Sequence, residues 1–177
     1  MANKYEIRLC GFGGQGIILA GFITGQAAAV YENKQAVFIQ DYGPEARGGA
    51  CRADIIVADE PILYPYIDTP SALVAMSQEA YSKYIRKIHQ DTVVIIDEDM
   101  VAPDHDIRKP AMMPARKIAE ELGRAAVANV VMLGFLTATI NVISVDAMKK
   151  SILASIPKGT EKLNIDAFER GYASVKN

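Results

Sequence analysis

The chain has 177 residues, 50% of them hydrophobic, which suits one domain with a sizeable core and no need of covalent or metal staples. A formal net charge of −2 gives no attraction to phosphate backbones or anionic lipid surfaces, so neither nucleic acid nor a membrane is an expected partner. The two cysteines, Cys10 and Cys51, lack the spacing of a zinc knuckle or redox pair and read as buried thiols.

No basic region leads into an apolar export segment at the start of the chain, and a cytoplasmic protein is expected. Tyr5-Glu6-Ile7-Arg8-Leu9-Cys10 is the first predicted strand, and residues 16–30 the first helix. Gly21, Gly25, Ala27, Ala28 and Ala29 give that helix a small-residue surface for close packing on a sheet. Further strands are predicted over 36–39, 53–57, 72–76 and 92–97, as apolar runs of the kind covered on both faces. Helices are predicted over 78–88, over 115–122 with Gly123 as stop signal, and over 129–141, 145–156 and 165–175. This alternation predicts a single-domain α/β, Rossmann-like sandwich over residues 1–177, with a mostly parallel central sheet and a helical C-terminal half.

Residues 125–145 carry no charged side chain and are long enough to cross a bilayer as a helix, but Asn129, Thr137, Thr139, Asn141 and Ser144 interrupt the run. It is expected to be a large apolar contact surface, covered by a sister subunit or another chain, with a homodimer as the form in isolation.

The sharpest local signal is Gly11-Phe12-Gly13-Gly14-Gln15-Gly16, where the first strand ends and the first helix begins. Glycines at that spacing allow a tight turn and close approach of backbone amides to a pyrophosphate at a helix N-terminus. They serve equally to pack a strand against its helix. Asp41 follows the second strand, where a ribose-binding carboxylate stands in dinucleotide folds. It opens Asp41-Tyr42-Gly43-Pro44-Glu45-Ala46-Arg47-Gly48-Gly49, a glycine-bounded loop with two acids, an arginine and a tyrosine. Arg47 is placed either to clamp a carboxylate or phosphate, or to pair with Glu45 on the surface.

Other polar features read as structure. His89 is expected to cap helix carbonyls, and His105 to lie in a solvated acidic turn with Asp99, Asp104 and Asp106. Tyr64-Pro65-Tyr66 reads as an extended segment, and Met112, Met113 and Met132 as core or adaptable subunit surface.

Taken together, the two glycine-rich segments resemble the gamma subunit of the 2-oxoacid:ferredoxin oxidoreductases. Ala128-Asn129-Val130-Val131-Met132-Leu133-Gly134 resembles a helix start of that family, so the likeness spans most of the chain. Ser77-Gln78-Glu79-Ala80-Tyr81 is similar to the form seen in 2-oxoglutarate-type members. The resemblance implies an enzyme that oxidatively decarboxylates a 2-oxoacid, forms the acyl-coenzyme A and passes electrons to ferredoxin. It implies that thiamine diphosphate, magnesium and iron–sulfur clusters are held by partner alpha and beta subunits, with a delta subunit as a further candidate. The isolated chain then binds no cofactor and has no catalytic or metal-ligating residues, and coenzyme A is a substrate of the complex. Gly11, Gly13, Gly14, Gln15, Gly16, Tyr42, Gly43, Glu45, Arg47 and Gly48 are the candidate cofactor-facing residues, on loops expected at the ligand-facing ends of adjacent strands, the same loops being alternatively a subunit interface. Two other functions compete: a self-contained NAD-type nucleotide-binding domain and a self-assembling structural protein.

Overall fold

A computed structural model describes residues 4–42, 49–104 and 109–176. Strand β1 (Lys4–Phe12) turns into α1 (Ile17–Gln26), which widens over Ala27–Tyr31 before β2 (Gln35–Asp41). There follow β3 (Ala50–Ala58), β4 (Ala72–Ala75), α2 (Gln78–Tyr84), β5 (Val93–Asp97), β6 (Ala111–Met113) and α3 (Ala115–Glu121). The chain closes with α4 (Ala128–Ile140), α5 (Val145–Ser155) and α6 (Glu161–Ala173).

The strands form one sheet in the order β2-β3-β1-β4-β5-β6. β1, β4, β5 and β6 pair in parallel, while β3 runs against both its neighbours, β1 and β2. Every strand except β3 therefore points the same way, as expected of a mostly parallel Rossmann-like sheet. Two details differ from the sequence reading. β6 is an added edge strand, three residues long between Pro110 and Pro114, too short to register as a periodic run. The strands that carry the two glycine-rich loops, β1 and β2, are not neighbours, because β3 is inserted between them.

Side chains alternate across the sheet with period two, and each set finds its own cover. Ile7 and Leu9 of β1, Ile55 of β3, Val74 of β4 and Ile95 of β5 form one core with α1, α4, α5 and α6. Leu73 and Ala75 of β4 and Val94 and Ile96 of β5 face the other way, onto Tyr81 and Tyr84 of α2 and Ile85 beyond it. The small surface of α1 acts as expected, since Gly21 lies where a Cβ would overlap Ala53 and the Phe38 ring.

The uncharged run has a different fate from the expected contact surface. Its helix, α4, is ringed by this chain's own core, with Val130, Val131, Leu133 and Leu136 all buried. Gly134 of α4 and Gly171 of α6 leave no room for a Cβ against the facing backbone, so the two helices touch main chain to main chain. A helix apolar all round belongs inside a protein, and the apolar argument for a homodimer falls with this burial. Asn141, left-handed at φ 52°, ends the helix. No helix among the described residues is long and apolar enough to cross a membrane.

One ion pair lies inside the sheet. Arg8 and Asp54 stand opposite each other on β1 and β3. The Arg8 guanidinium donates to Asp54 Oδ1 at 2.7 Å, and to Asp54 Oδ2 and the Ile67 carbonyl at 2.8 Å each. Both side chains are buried, with Arg8 over the Tyr84 ring, and this bidentate geometry is what makes their burial tolerable. Asp54→Ala, which strands the arginine charge, is expected to cost about 3–5 kcal/mol of unfolding free energy in urea titrations, whereas Arg8→Met with Asp54→Leu recovers most of it.

Candidate functional site

The crossover after β1, α1, lies on one face of the sheet, and the crossover after the adjacent β4, α2, lies on the other. The carboxyl ends of β1 and β4 thus form a topological switch point, where open α/β sheets place their ligand crevice. The glycine-rich turn sits at this point.

Its four glycines do different work. Gly11 is buried, and a Cβ there would overlap Gln15 Oε1 and the end of Ile17. Gly16 adopts φ 73°, and a Cβ there would overlap the Asn129 amide. Gly13 and Gly14 are exposed with open space where a Cβ would stand, and Gly14 has φ 104°. Only this central pair is bare to an approaching group.

Side chains hold the turn at both ends. Gln15 Oε1 accepts from the Phe12 N–H at 2.9 Å, and Gln15 Nε2 donates to the Met76 carbonyl at 2.6 Å. Asn129, buried at the start of α4, donates from Nδ2 to the Gly16 carbonyl at 3.1 Å. Behind it α1 begins, with first-turn amides that have no acceptor within the helix. The turn separates two cavities that both reach Gly14. One, of about 200 Å³, is lined by Phe12, Gln15, Met76, Asp97 and Arg116; the other, of about 160 Å³, by Gly16, Arg124, Asn129, Pro157 and Asn164.

The second loop leaves the same end of the sheet, since Phe12 pairs with Ala50 and Asp41 with Arg52 in register. Tyr42 is exposed at its start. Gly43, Glu45, Arg47 and Gly48 lie outside the described residues. Asp41 is engaged by Arg52, Oδ2 to Nε at 3.5 Å, and so does not stand as the free ribose-binding carboxylate that the NAD-type reading requires. His89 turns its ring to Asp91, at 3.3 Å, and not to helix carbonyls, while His105 lies outside the described residues. Cys10 and Cys51 are buried in separate clusters on opposite faces, and burial raises both thiols above their ordinary pKa. Among the described residues no group of three or more His, Cys, Asp or Glu could hold a metal ion. Four cluster ligands likewise cannot come from two cysteines so placed.

Sequence reading missed Asp97, the last residue of β5, in the wall of the larger cavity. Its side chain accepts from the Asp99 and Arg116 backbone N–H groups, each at 3.2 Å, and Asp99 accepts from the Lys117 N–H at 3.1 Å. These carboxylates satisfy amides at the start of α3, which Pro114 leaves without a side-chain cap of its own. A carboxylate ending an apolar strand, with a second one two residues on, was the available signal.

Comparison with known proteins finds relatives over nearly the whole chain. The family described as pyruvate ferredoxin/flavodoxin oxidoreductase matches residues 6–174. The 2-oxoglutarate synthase subunit KorC of Methanocaldococcus jannaschii is 50% identical over 177 residues, covering 98% of this chain and 95% of that subunit. The crystal structure of a keto/oxoacid ferredoxin oxidoreductase gamma subunit from Geobacter sulfurreducens superposes with TM-score 0.85 at 37% identity, covering 97% of this chain and 96% of that one. The 2-oxoglutarate:ferredoxin oxidoreductase of Magnetococcus marinus, solved with 2-oxoglutarate, coenzyme A and succinyl-CoA bound, matches with TM-score 0.85 at 25% identity. There 98% of this chain is covered but only 31% of the longer polypeptide.

Burial pushes the Asp97 carboxyl up from 3.8 to about 6, against the backbone hydrogen bonds that favour its ionised form. The native state therefore holds this proton between about pH 4 and 6 while the unfolded chain has released it, so its contribution to stability is full below pH 4 and is lost as pH rises through 6. The shift corresponds to roughly 3 kcal/mol. Denaturation at pH 4, 5, 6 and 7 is expected to show the stability of the native chain relative to Asp97→Asn falling across that range.

Proposed function

Because this chain belongs to the pyruvate ferredoxin/flavodoxin oxidoreductase family, we propose that it is the gamma subunit of a 2-oxoglutarate:ferredoxin oxidoreductase, a subunit that shapes a reaction centre held by other chains. The observation that carries this is the end-to-end correspondence with a separate 2-oxoglutarate synthase subunit, 98% of one chain against 95% of the other, at 50% identity. A relative whose name is that of an enzyme subunit supports reading this chain as one part of a larger enzyme.

The assembled enzyme decarboxylates the 2-oxoacid oxidatively, transfers the acyl group to coenzyme A and passes the electrons to ferredoxin. Thiamine diphosphate, its magnesium ion and the iron–sulfur clusters belong to alpha and beta partners, with delta as a further candidate, in the cytoplasm. Among the described residues no donor set fits a metal, and the two buried thiols do not make up the ligands of a cluster. Its contribution is the end of the sheet where the two loops emerge. Gly13 and Gly14 expose backbone to an incoming group, and coenzyme A, with its diphosphate, is the ligand proposed to meet them. Gly11 and Gly16 support the turn from within. Gly43, Glu45, Arg47 and Gly48 follow the exposed Tyr42 in sequence, and Arg47 is proposed to contribute there the fork of donors that recognises a phosphate.

Capture of the chain from its own cell is expected to bring down chains that bind thiamine diphosphate and iron–sulfur clusters; recovery of the chain by itself contradicts the subunit reading. In that assembly, Arg47→Ala is expected to raise KM for coenzyme A about tenfold or more, the scale of one lost charge-assisted hydrogen bond. Unaltered KM and turnover would remove the ligand role of the second loop.

A further inference from the structure

Resting on that reading, we infer that Gln15 is a positioning residue, which sets the geometry of the turn that coenzyme A meets instead of binding the ligand itself. The parallel pairing of β1 and β4 reaches Cys10 and Ala75, and the Met76 N–H donates to the Cys10 carbonyl at 2.9 Å. At the next step the strands part, because their crossovers leave on opposite faces. The Phe12 N–H and the Met76 carbonyl would then face the gap with only water or a ligand to satisfy them.

The Gln15 side chain fills that place. Its carboxamide has the donor and acceptor of a peptide group, and it uses both as a further rung of the ladder, accepting from Phe12 and donating to Met76. The backbone N–H of Gln15 also returns to the Phe12 carbonyl at 3.2 Å, which closes the turn on itself. Gly11 belongs to the same device, since any Cβ there would displace Oε1. With Asn129 holding the Gly16 carbonyl at the far end, the two bare residues, Gly13 and Gly14, are suspended between fixed anchors. What they present to a ligand is thus determined by an amide that need not touch it.

The test joins a readout of the turn in the isolated chain with kinetics of the assembled enzyme. In Gln15→Ala, hydrogen exchange at the Phe12 amide is expected to quicken about tenfold or more, because the side-chain acceptor it uses is gone. In the enzyme, KM for coenzyme A is expected to rise about tenfold with kcat within about twofold, the pattern of a displaced contact surface. Gln15→Glu, which keeps the acceptor for Phe12 and loses the donor to Met76, is the second variant: it retains slow Phe12 exchange and still raises KM. Unchanged Phe12 exchange in Gln15→Ala overturns the inference, as does unchanged KM in both variants of an enzyme whose wild type is active. A wild-type chain that supports no coenzyme A-dependent reaction with its partners overturns the underlying reading, and the inference with it.

Discussion

The constraint on which the rest of the site depends is the parting of β1 and β4 where their crossovers leave for opposite faces. A sheet of this kind must open there, and an opening leaves backbone groups without partners unless something enters it. Gln15 enters from the turn, Asn129 braces the turn from α4, and the uncharged α4 is held in turn by close backbone contact with α6. The helical C-terminal half is therefore not an appendage, because it supports the exposed glycine-rich turn of the switch point.

Much of this was legible from residue order. The strand, glycine-rich turn and helix at the start of the chain follow from an apolar run, a glycine spacing and a small-residue helix, and they stand as read. Gly123, with φ 89°, follows α3 at the position its stop signal predicts. What stayed hidden was spatial. Nothing local says that β3 inserts between β1 and β2, since strand order is decided by crossover geometry. Nothing local separates a fully buried helix from one that is buried by a partner, so the order of residues 125–145 is equally that of a contact surface. Arg8 and Asp54 each break an apolar strand with a charge of opposite sign, a signal that acquires meaning only when the register places them face to face.

The glycines illustrate the same limit more finely. A dinucleotide-like spacing reads alike whether a glycine serves a phosphate or a neighbouring side chain. The structure divides them, assigning Gly11 to Gln15 and Gly16 to Asn129, and leaving Gly13 and Gly14 bare. On the proposed function, it is this bare pair that shapes a site for chemistry performed by partner chains.

The most direct test of that account is reconstitution: ferredoxin reduction driven by 2-oxoglutarate and coenzyme A, measured with the partner chains by themselves, with this chain by itself, and with both. The account predicts activity only when both are present. Turnover by this chain unaided, or full activity of the partners without it, would contradict the account.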